Sequence, residues 1–136
     1  MAPAALKYTF RKNERLHSKK AIESLFSKGR SFHVSPFRVI WLPERPVNKI
    51  PAQVLIAVSR KNFKTSVERN SLKRKVREAY RLAKPEFYER LLAKDKACIF
   101  ALIYVNNTVL SNEEITKKIN VVLTRLIWES IEQTAR

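Results

Sequence analysis

Cysteine, glycine and long hydrophobic runs are all scarce in this sequence of 136 residues. The single cysteine, Cys98, excludes a disulfide framework and favours a reducing compartment, so we expect a cytoplasmic protein. The single glycine, Gly29, excludes a glycine-rich phosphate loop. The longest apolar run, residues 97–105, is well short of the about 20 residues that span a bilayer. Because the first residues also lack a charged segment followed by an apolar core, we expect neither a membrane span nor a secretion signal.

Acidic residues are scarce as well. The 28 Lys and Arg side chains outnumber 12 Asp and Glu side chains and leave a formal net charge of +16. Residues 1–30 carry eight basic and two acidic side chains, and residues 60–81 carry nine and two. Charge concentrated in two segments predicts a polyanionic partner. Since 45% of the residues are hydrophobic and no linker or repeat divides the chain, we expect one packed domain over residues 1–136, with residues 1–17 a partly extended basic arm.

The first half of the sequence predicts one helix and two strands. Apolar residues at helical spacing follow Ser18, a typical N-cap, and Gly29 occupies the place of a left-handed C-terminal cap, so we predict a helix over 18–28. Alternation predicts a strand over 31–42, and a β-branched apolar segment predicts another over 52–60. These two strands could pair as a hairpin with a long loop.

The second half predicts a helix, a strand and a helix. Thr65 and Glu68 form a capping box that opens a helix over 66–83, which we expect to end before Pro85. Residues 86–93 could add a helical turn or two. The apolar run 97–105 predicts a central strand. A second capping box, Ser111 with Glu114, opens a C-terminal helix to about residue 132. The order predicts an α+β, two-layer sandwich with a mixed sheet, in which Trp41, Tyr104 and Trp128 pack in the core.

The helix over 66–83 is unusually basic on one side. On a helical wheel its apolar residues form one stripe: Leu72, Val76, Ala79, Tyr80 and Ala83. Beside that stripe lies an arc of cations and one amide, with Arg69 at its boundary: Asn70, Lys73, Arg74, Arg77 and Arg81. Like charges one turn apart destabilise a helix by a few tenths of a kcal/mol per pair. Because arginine matches phosphate oxygens bidentately, a phosphate-binding face explains this arc better than a solvated one.

This segment resembles a known family. The pattern Arg-Asn-x-x-Lys-Arg-x-x-Arg-Glu-Ala-Tyr-Arg from residue 69, preceded by Val-Ser-Arg-Lys from residue 58, is similar to the signature of the protein subunit of bacterial ribonuclease P. The family usually reads Arg-Asn-Arg at its start, where this chain has Ser71. The resemblance extends to residues 19–29 and to Phe37, and it covers about residues 6–132.

The resemblance implies a fold, two partners and a set of site residues. The fold would contain a left-handed β-α-β crossover, as in the second domain of ribosomal protein S5. The chain would bind ribonuclease P RNA through a set carried over by position: Ser59, Arg60, Lys61, Arg69, Asn70, Lys73, Arg74, Arg77 and Arg81. It would bind the 5′ leader of precursor tRNA in a cleft between the first helix and the sheet, lined by Ile22, Phe26, Phe37 and Val39. Aromatic and apolar surfaces with a cationic rim suit a single strand.

A catalytic constellation is missing from the sequence. One aspartate, isolated His17 and His33, and scattered glutamates offer neither a metal site nor an acid–base pair. This agrees with the resemblance, which implies an accessory subunit that is inactive alone and binds no cofactor itself, with Mg²⁺ on the RNA carrying out hydrolysis. The alternative function is a ribosomal or other structural RNA-binding protein. A DNA-binding domain is disfavoured, because no second helix lies just upstream for a helix-turn-helix.

Overall fold

The chain folds around a four-stranded sheet. The computed structural model describes residues 10–46 and 50–134, and side chains within these ranges up to residue 130. After a 3₁₀ turn at Lys12–Glu14, the elements are α1 (Lys19–Lys28), β1 (Arg30–Val34), β2 (Phe37–Leu42), β3 (Ala52–Val58), α2 (Ser66–Ala93), β4 (Cys98–Tyr104) and α3 (Asn112–Thr134). The α+β class is confirmed. The first half of the predicted basic arm, residues 1–9, lies outside the described residues. No helix in the described ranges is long and apolar enough to cross a membrane.

The sheet is mixed, with strand order β1-β2-β4-β3. β2 runs antiparallel to β1 and β4, whereas β3 runs parallel to β4. The central position of β4 is confirmed, since it pairs with β2 on one side and β3 on the other, and its residues are buried almost throughout. The single strand predicted over 31–42 is wrong: it is a hairpin that turns at Ser35–Pro36, where Val34 pairs with Phe37. The predicted pairing of β2 with β3 is also wrong, because β4 lies between them.

The two faces of the sheet bury different helices. Phe37, Val39 and Trp41 of β2 face the main core, which α2 and α3 cover. Ile40, on the opposite face, packs with Leu25 of α1 in a second, smaller cluster. The predicted alternation along β2 is therefore confirmed, and α1 adds a helix to the face that α2 and α3 leave open.

Three predicted packing residues have different outcomes. Trp41 and Tyr104 are fully buried, as predicted. Trp128 is 58% exposed, so its assignment to the core is wrong. The reason is the position of Trp128 on α3. Leu126 and Ile127 face the core, and the turn of the helix directs the following residue, Trp128, toward solvent.

The predicted helix starts are confirmed by their caps. Ser18 Oγ accepts a hydrogen bond from the backbone N–H of Ala21 at 3.3 Å. Thr65 Oγ1 and Ser111 Oγ each accept one from the backbone N–H three residues later, at 3.2 Å. Local sequence suffices for these features because each cap is satisfied within one turn.

Gly29 ends α1 for a different reason from the one predicted. Its φ of −67° and ψ of 152° are extended, so the left-handed cap is wrong. A Cβ at this position would lie 2.3 Å from the carbonyl oxygen of Leu25 and 2.6 Å from Cγ2 of Ile40. Glycine is required here because the helix end approaches β2 closely.

Helix α2 continues ten residues beyond its predicted end, through Pro85 to Ala93. Proline in a helix interior costs about 3 kcal/mol, since it removes a backbone hydrogen bond. The buried side chains of Phe87, Tyr88 and Leu91 continue the apolar stripe of α2 past the proline. Their burial in the main core offsets the cost, which is a tertiary effect that the local sequence does not reveal.

Candidate nucleic-acid interface

Helix α2 presents its cations directly beside its buried stripe. Leu72, Val76, Ala79 and Tyr80 are buried against the sheet and α3, as the wheel predicts. Of the predicted RNA-facing set on this helix, Asn70 and Arg74 are exposed, and Lys73, Arg77 and Arg81 are half-buried. The arc is thus accessible to a ligand along about three turns of the helix.

Two cations of the predicted set also make contacts within the chain. Arg69 Nη1 donates hydrogen bonds to the carbonyl oxygens of Phe63 at 2.7 Å and Lys64 at 3.0 Å, which fixes the loop that enters α2. Arg81 pairs with Glu78 at 2.5 Å, and this hydrogen bond raises the pKa of Arg81 and lowers that of Glu78. Spacing alone does not distinguish these two residues from Lys73 and Arg74.

The end of β3 holds the other three residues of the predicted set. Ser59 Oγ accepts a hydrogen bond from the backbone N–H of Lys61 at 3.2 Å, and Arg60 and Lys61 are exposed. Asn62 Nδ2 donates to the carbonyl oxygen of Val105 at 2.7 Å, and this bond ties the turn to the end of β4. Because this turn leads into α2, the structure places its cations near the amino terminus of the basic helix.

The predicted cleft residues lie on two different faces of the sheet. Phe26, on α1, is 49% exposed, and Ile22 is half-buried in the cluster beneath α1. Phe37 and Val39 are fully buried in the main core on the other side, so their assignment to a cleft under α1 is wrong. In strand alternation the residues that face α1 are Ile40 and its neighbours at even positions. The apolar residues at even positions of β2, Ile40 and Leu42, were therefore the signal for the face that α1 covers.

The described residues offer little for acid–base or metal chemistry. Among them, no group of three or more His, Cys, Asp and Glu side chains could hold a metal ion. His17 and His33 are exposed; His17 precedes α1, whereas His33 is on β1. Burial raises the pKa of Cys98 to about 12, so its thiol is protonated and is a poor nucleophile at neutral pH.

Comparison with known proteins identifies a matching family and similar sequences. A family model described as Ribonuclease P matches residues 10–127. Two proteins named "Ribonuclease P protein component" are similar in sequence. That of Porphyromonas gingivalis is 40% identical over 73 residues, 54% of this chain and 53% of the relative. That of Chlorobaculum tepidum is 38% identical over 87 residues, which are 62% of this chain and 56% of the relative. The matched part spans about half the length of these curated relatives.

Solved structures extend the likeness of fold to most of the chain. The ribonuclease P protein of Staphylococcus aureus superposes with a TM-score of 0.66 at 20% identity, over 85% of this chain and 96% of that one. The ribonuclease P protein from Thermotoga maritima, in complex with 1-(4-fluorophenyl)-2-thiourea, superposes with a TM-score of 0.65 at 22% identity. This superposition covers 82% of this chain and 98% of that one. With the family model matching residues 10–127, the chain belongs to the ribonuclease P protein family.

Proposed function

We propose that this chain is the protein subunit of ribonuclease P, which binds the catalytic RNA and assists removal of the 5′ leader from precursor tRNA in the cytoplasm. The observation that carries the proposal is the accessible arc of cations on α2, within a chain that belongs to this family. The arc and the turn at residues 59–61 together offer a phosphate-binding surface. The ribosomal or structural RNA-binding alternative has no such family match in its favour.

Binding to the RNA subunit would be largely electrostatic. If about five phosphates are contacted by Arg60, Lys73, Arg74, Arg77 and their neighbours, a fourfold rise in salt weakens binding about 10²-fold. Because the backbone of these residues is already fixed in a helix, ordering on binding is limited to the rotamer freedom of their side chains. The neutral backbone N–H groups at the start of α2 add to the same attraction.

The leader of precursor tRNA would bind on the α1 side of the sheet. Phe26 is exposed, and the half-buried side chains of Ile22, Leu42 and Ile103 offer apolar area nearby. Unpaired bases stack or pack on such groups with little sequence preference. Phe37 and Val39 are not part of this proposal, since both are inside the main core.

Hydrolysis would be carried out by the RNA subunit with its own Mg²⁺. The chain's part is to screen phosphate repulsion and hold the leader. This division of labour is supported by the chemistry of the chain's surface, which is rich in cations and poor in carboxylates that could bind metal. We expect the protein alone to leave precursor tRNA uncut.

Reconstitution tests the proposal directly. The full chain is added to a bacterial ribonuclease P RNA at low Mg²⁺, and cleavage of precursor tRNA is measured. We expect stimulation with RNA present and no cleavage without it. Arg74→Ala should weaken assembly with an unchanged thermal melt, and Lys117→Ala, an exposed cation on α3, serves as the matched control. Absence of stimulation across RNAs from several bacteria would overturn the proposal.

The leader separates this function from the structural alternative. Phe26→Ala should weaken binding of precursor tRNA to the holoenzyme more than binding of mature tRNA, because only the precursor has a leader. The matched control is Trp128→Ala, which removes an exposed aromatic ring from α3. Equal loss for both tRNAs would remove Phe26 from the leader site, and equal affinity of the wild type for both would favour the alternative.

A further inference from the structure

A cleft lies between the amino-terminal arm, β3 and α2. It shares Arg77 with the helix arc, and its floor residues Leu16 and Leu55 belong to the cluster beneath α1. It encloses about 590 Å³, a volume ordinary for a small-ligand site. Leu16 and residues 54–56 of β3 form an apolar floor. No acidic residue lines it, and all four of its polar lining residues carry nitrogen donors: Lys12, Arg15, His17 and Arg77. We call this site the arm cleft.

The arm cleft concentrates positive charge at a cost to the folded chain. Desolvation lowers the pKa of Arg77, and the nearby charges of Arg15 and Arg74 lower it further. The guanidinium of Arg15 lies 5.0 Å from the ring centroid of Phe10, which restricts where it can point. Like charges beside an apolar floor focus the field on the space between them. An anion placed there would remove the repulsion.

A buried ion pair holds the arm against α2 in spite of that repulsion. Lys84 Nζ lies 2.5 Å from Oε1 of Glu14, with the lysine side chain fully buried and the glutamate 6% exposed. The backbone N–H of Arg11 donates to Oε2 of the same carboxylate at 2.7 Å. Two residues further on, the backbone N–H of Leu16 donates to the carbonyl oxygen of Val54 at 2.9 Å. Arg15 lies between these two anchors.

We propose that the arm cleft binds one backbone phosphate of single-stranded RNA between Arg15 and Arg77, and that Glu14 and Lys84 are positioning residues that keep the two guanidinium groups together. The inference rests on the proposed RNA-binding function and adds a specific site to it. An attached base would cover the apolar floor, where it gains contact area without sequence preference. One phosphate held by two arginines makes their contributions interdependent.

A double-mutant cycle on the full chain tests this interdependence. The probe is a fluorescein-labelled oligouridylate of about eight nucleotides, followed by fluorescence anisotropy. We expect Arg15→Ala and Arg77→Ala each to weaken binding about tenfold, and the double variant to weaken it about tenfold as well, because one phosphate contact is lost once. The control cycle pairs Arg77→Ala with Lys117→Ala, because Lys117 does not line the cleft. In that cycle the fold-changes in affinity caused by the two substitutions should multiply.

The outcomes separate this inference from the proposed function. An effect near a hundredfold for the double variant, the product of the single effects, would overturn the arm cleft while leaving RNA binding intact. If the wild type binds neither the oligonucleotide nor ribonuclease P RNA, both proposals are overturned together. Coupling between Arg15 and Arg77, with additivity for Lys117, would support the site.

The positioning role has its own test. Glu14→Gln with Lys84→Met removes both buried charges at once and so avoids leaving one unpaired. We expect this variant to bind the oligonucleotide several-fold more weakly than the wild type. In the Arg15→Ala background, the same two substitutions should cause no further loss of affinity. A merely structural role would weaken both backgrounds equally, and that result would overturn the assignment of Glu14 and Lys84.

Discussion

Removing Lys84 should destabilise the protein strongly, because this fully buried lysine is the cationic partner of the buried Glu14. Lys84→Met keeps the length and apolar character of the side chain but leaves the Glu14 carboxylate buried without its cation. In the structure that carboxylate would keep the hydrogen bond from Arg11 N at 2.7 Å and lose the Nζ contact at 2.5 Å. Breaking a buried pair from one side costs about 3–5 kcal/mol.

The size of the effect makes it measurable. For 136 residues the entropy of unfolding is about 0.3 kcal/mol per kelvin, so the loss corresponds to a fall in Tm of about 10–17 °C. Urea unfolding followed by circular dichroism, at constant m-value, gives the free energy independently.

The control is the neutral pair. Glu14→Gln combined with Lys84→Met should recover most of the loss, since replacing both members of a buried ion pair is often neutral. If the single variant loses less than about 1 kcal/mol, Glu14 is solvated or protonated at little cost and the pair does not fasten the arm. If the double variant is as unstable as the single one, packing of the lysine stem, and not charge, accounts for the effect.

Three further outcomes follow from local geometry. Gly29→Ala should lower stability by about 1–3 kcal/mol, because its Cβ would meet the Leu25 carbonyl and Ile40, and a rise in Tm would contradict that contact. Thr65→Ala should cost about 1 kcal/mol in urea unfolding by removing the cap of α2, and an unchanged midpoint would show that the cap is dispensable. Burial raises the pKa of the Cys98 thiol to about 12, so this thiol should resist thiol reagents at pH 8 until the protein unfolds, and rapid labelling of the native protein would refute its burial. The contribution of the protonated thiol to stability should be fully present below about pH 8.5 and should fall as the pH rises toward 12.

Much of the candidate interface could be predicted from sequence because it lies on one helix. The arc from Asn70 to Arg81 follows from 3.6-residue periodicity alone, and the exposure of Arg74 agrees with it. The internal contacts of Arg69 with the carbonyl oxygens of Phe63 and Lys64 depend on how the loop before α2 folds back. Helical spacing carries no information about that loop.

The cleft residues show the opposite case. Alternation correctly separates Phe37 and Val39 from Ile40, but it does not say which face α1 will cover. That choice depends on the packing of α2 and α3, which occupy the face with the larger aromatic side chains. The arm cleft likewise joins elements distant in sequence. The sequence predicted a basic arm and placed Arg77 on the basic arc, but it did not predict that the two would meet.

The sequence by itself determined the helix starts, the strand character of β3 and β4, the basic arc and the expectation of a polyanionic partner. These features depend on hydrogen bonds within one turn, on side-chain periodicity and on net charge, which are local or additive. Tertiary structure alone decided the pairing of β4 between β2 and β3, the passage of α2 through Pro85 and the burial of Glu14 against Lys84. Each of these joins segments distant along the chain, and its free energy exists only after both have been brought into contact.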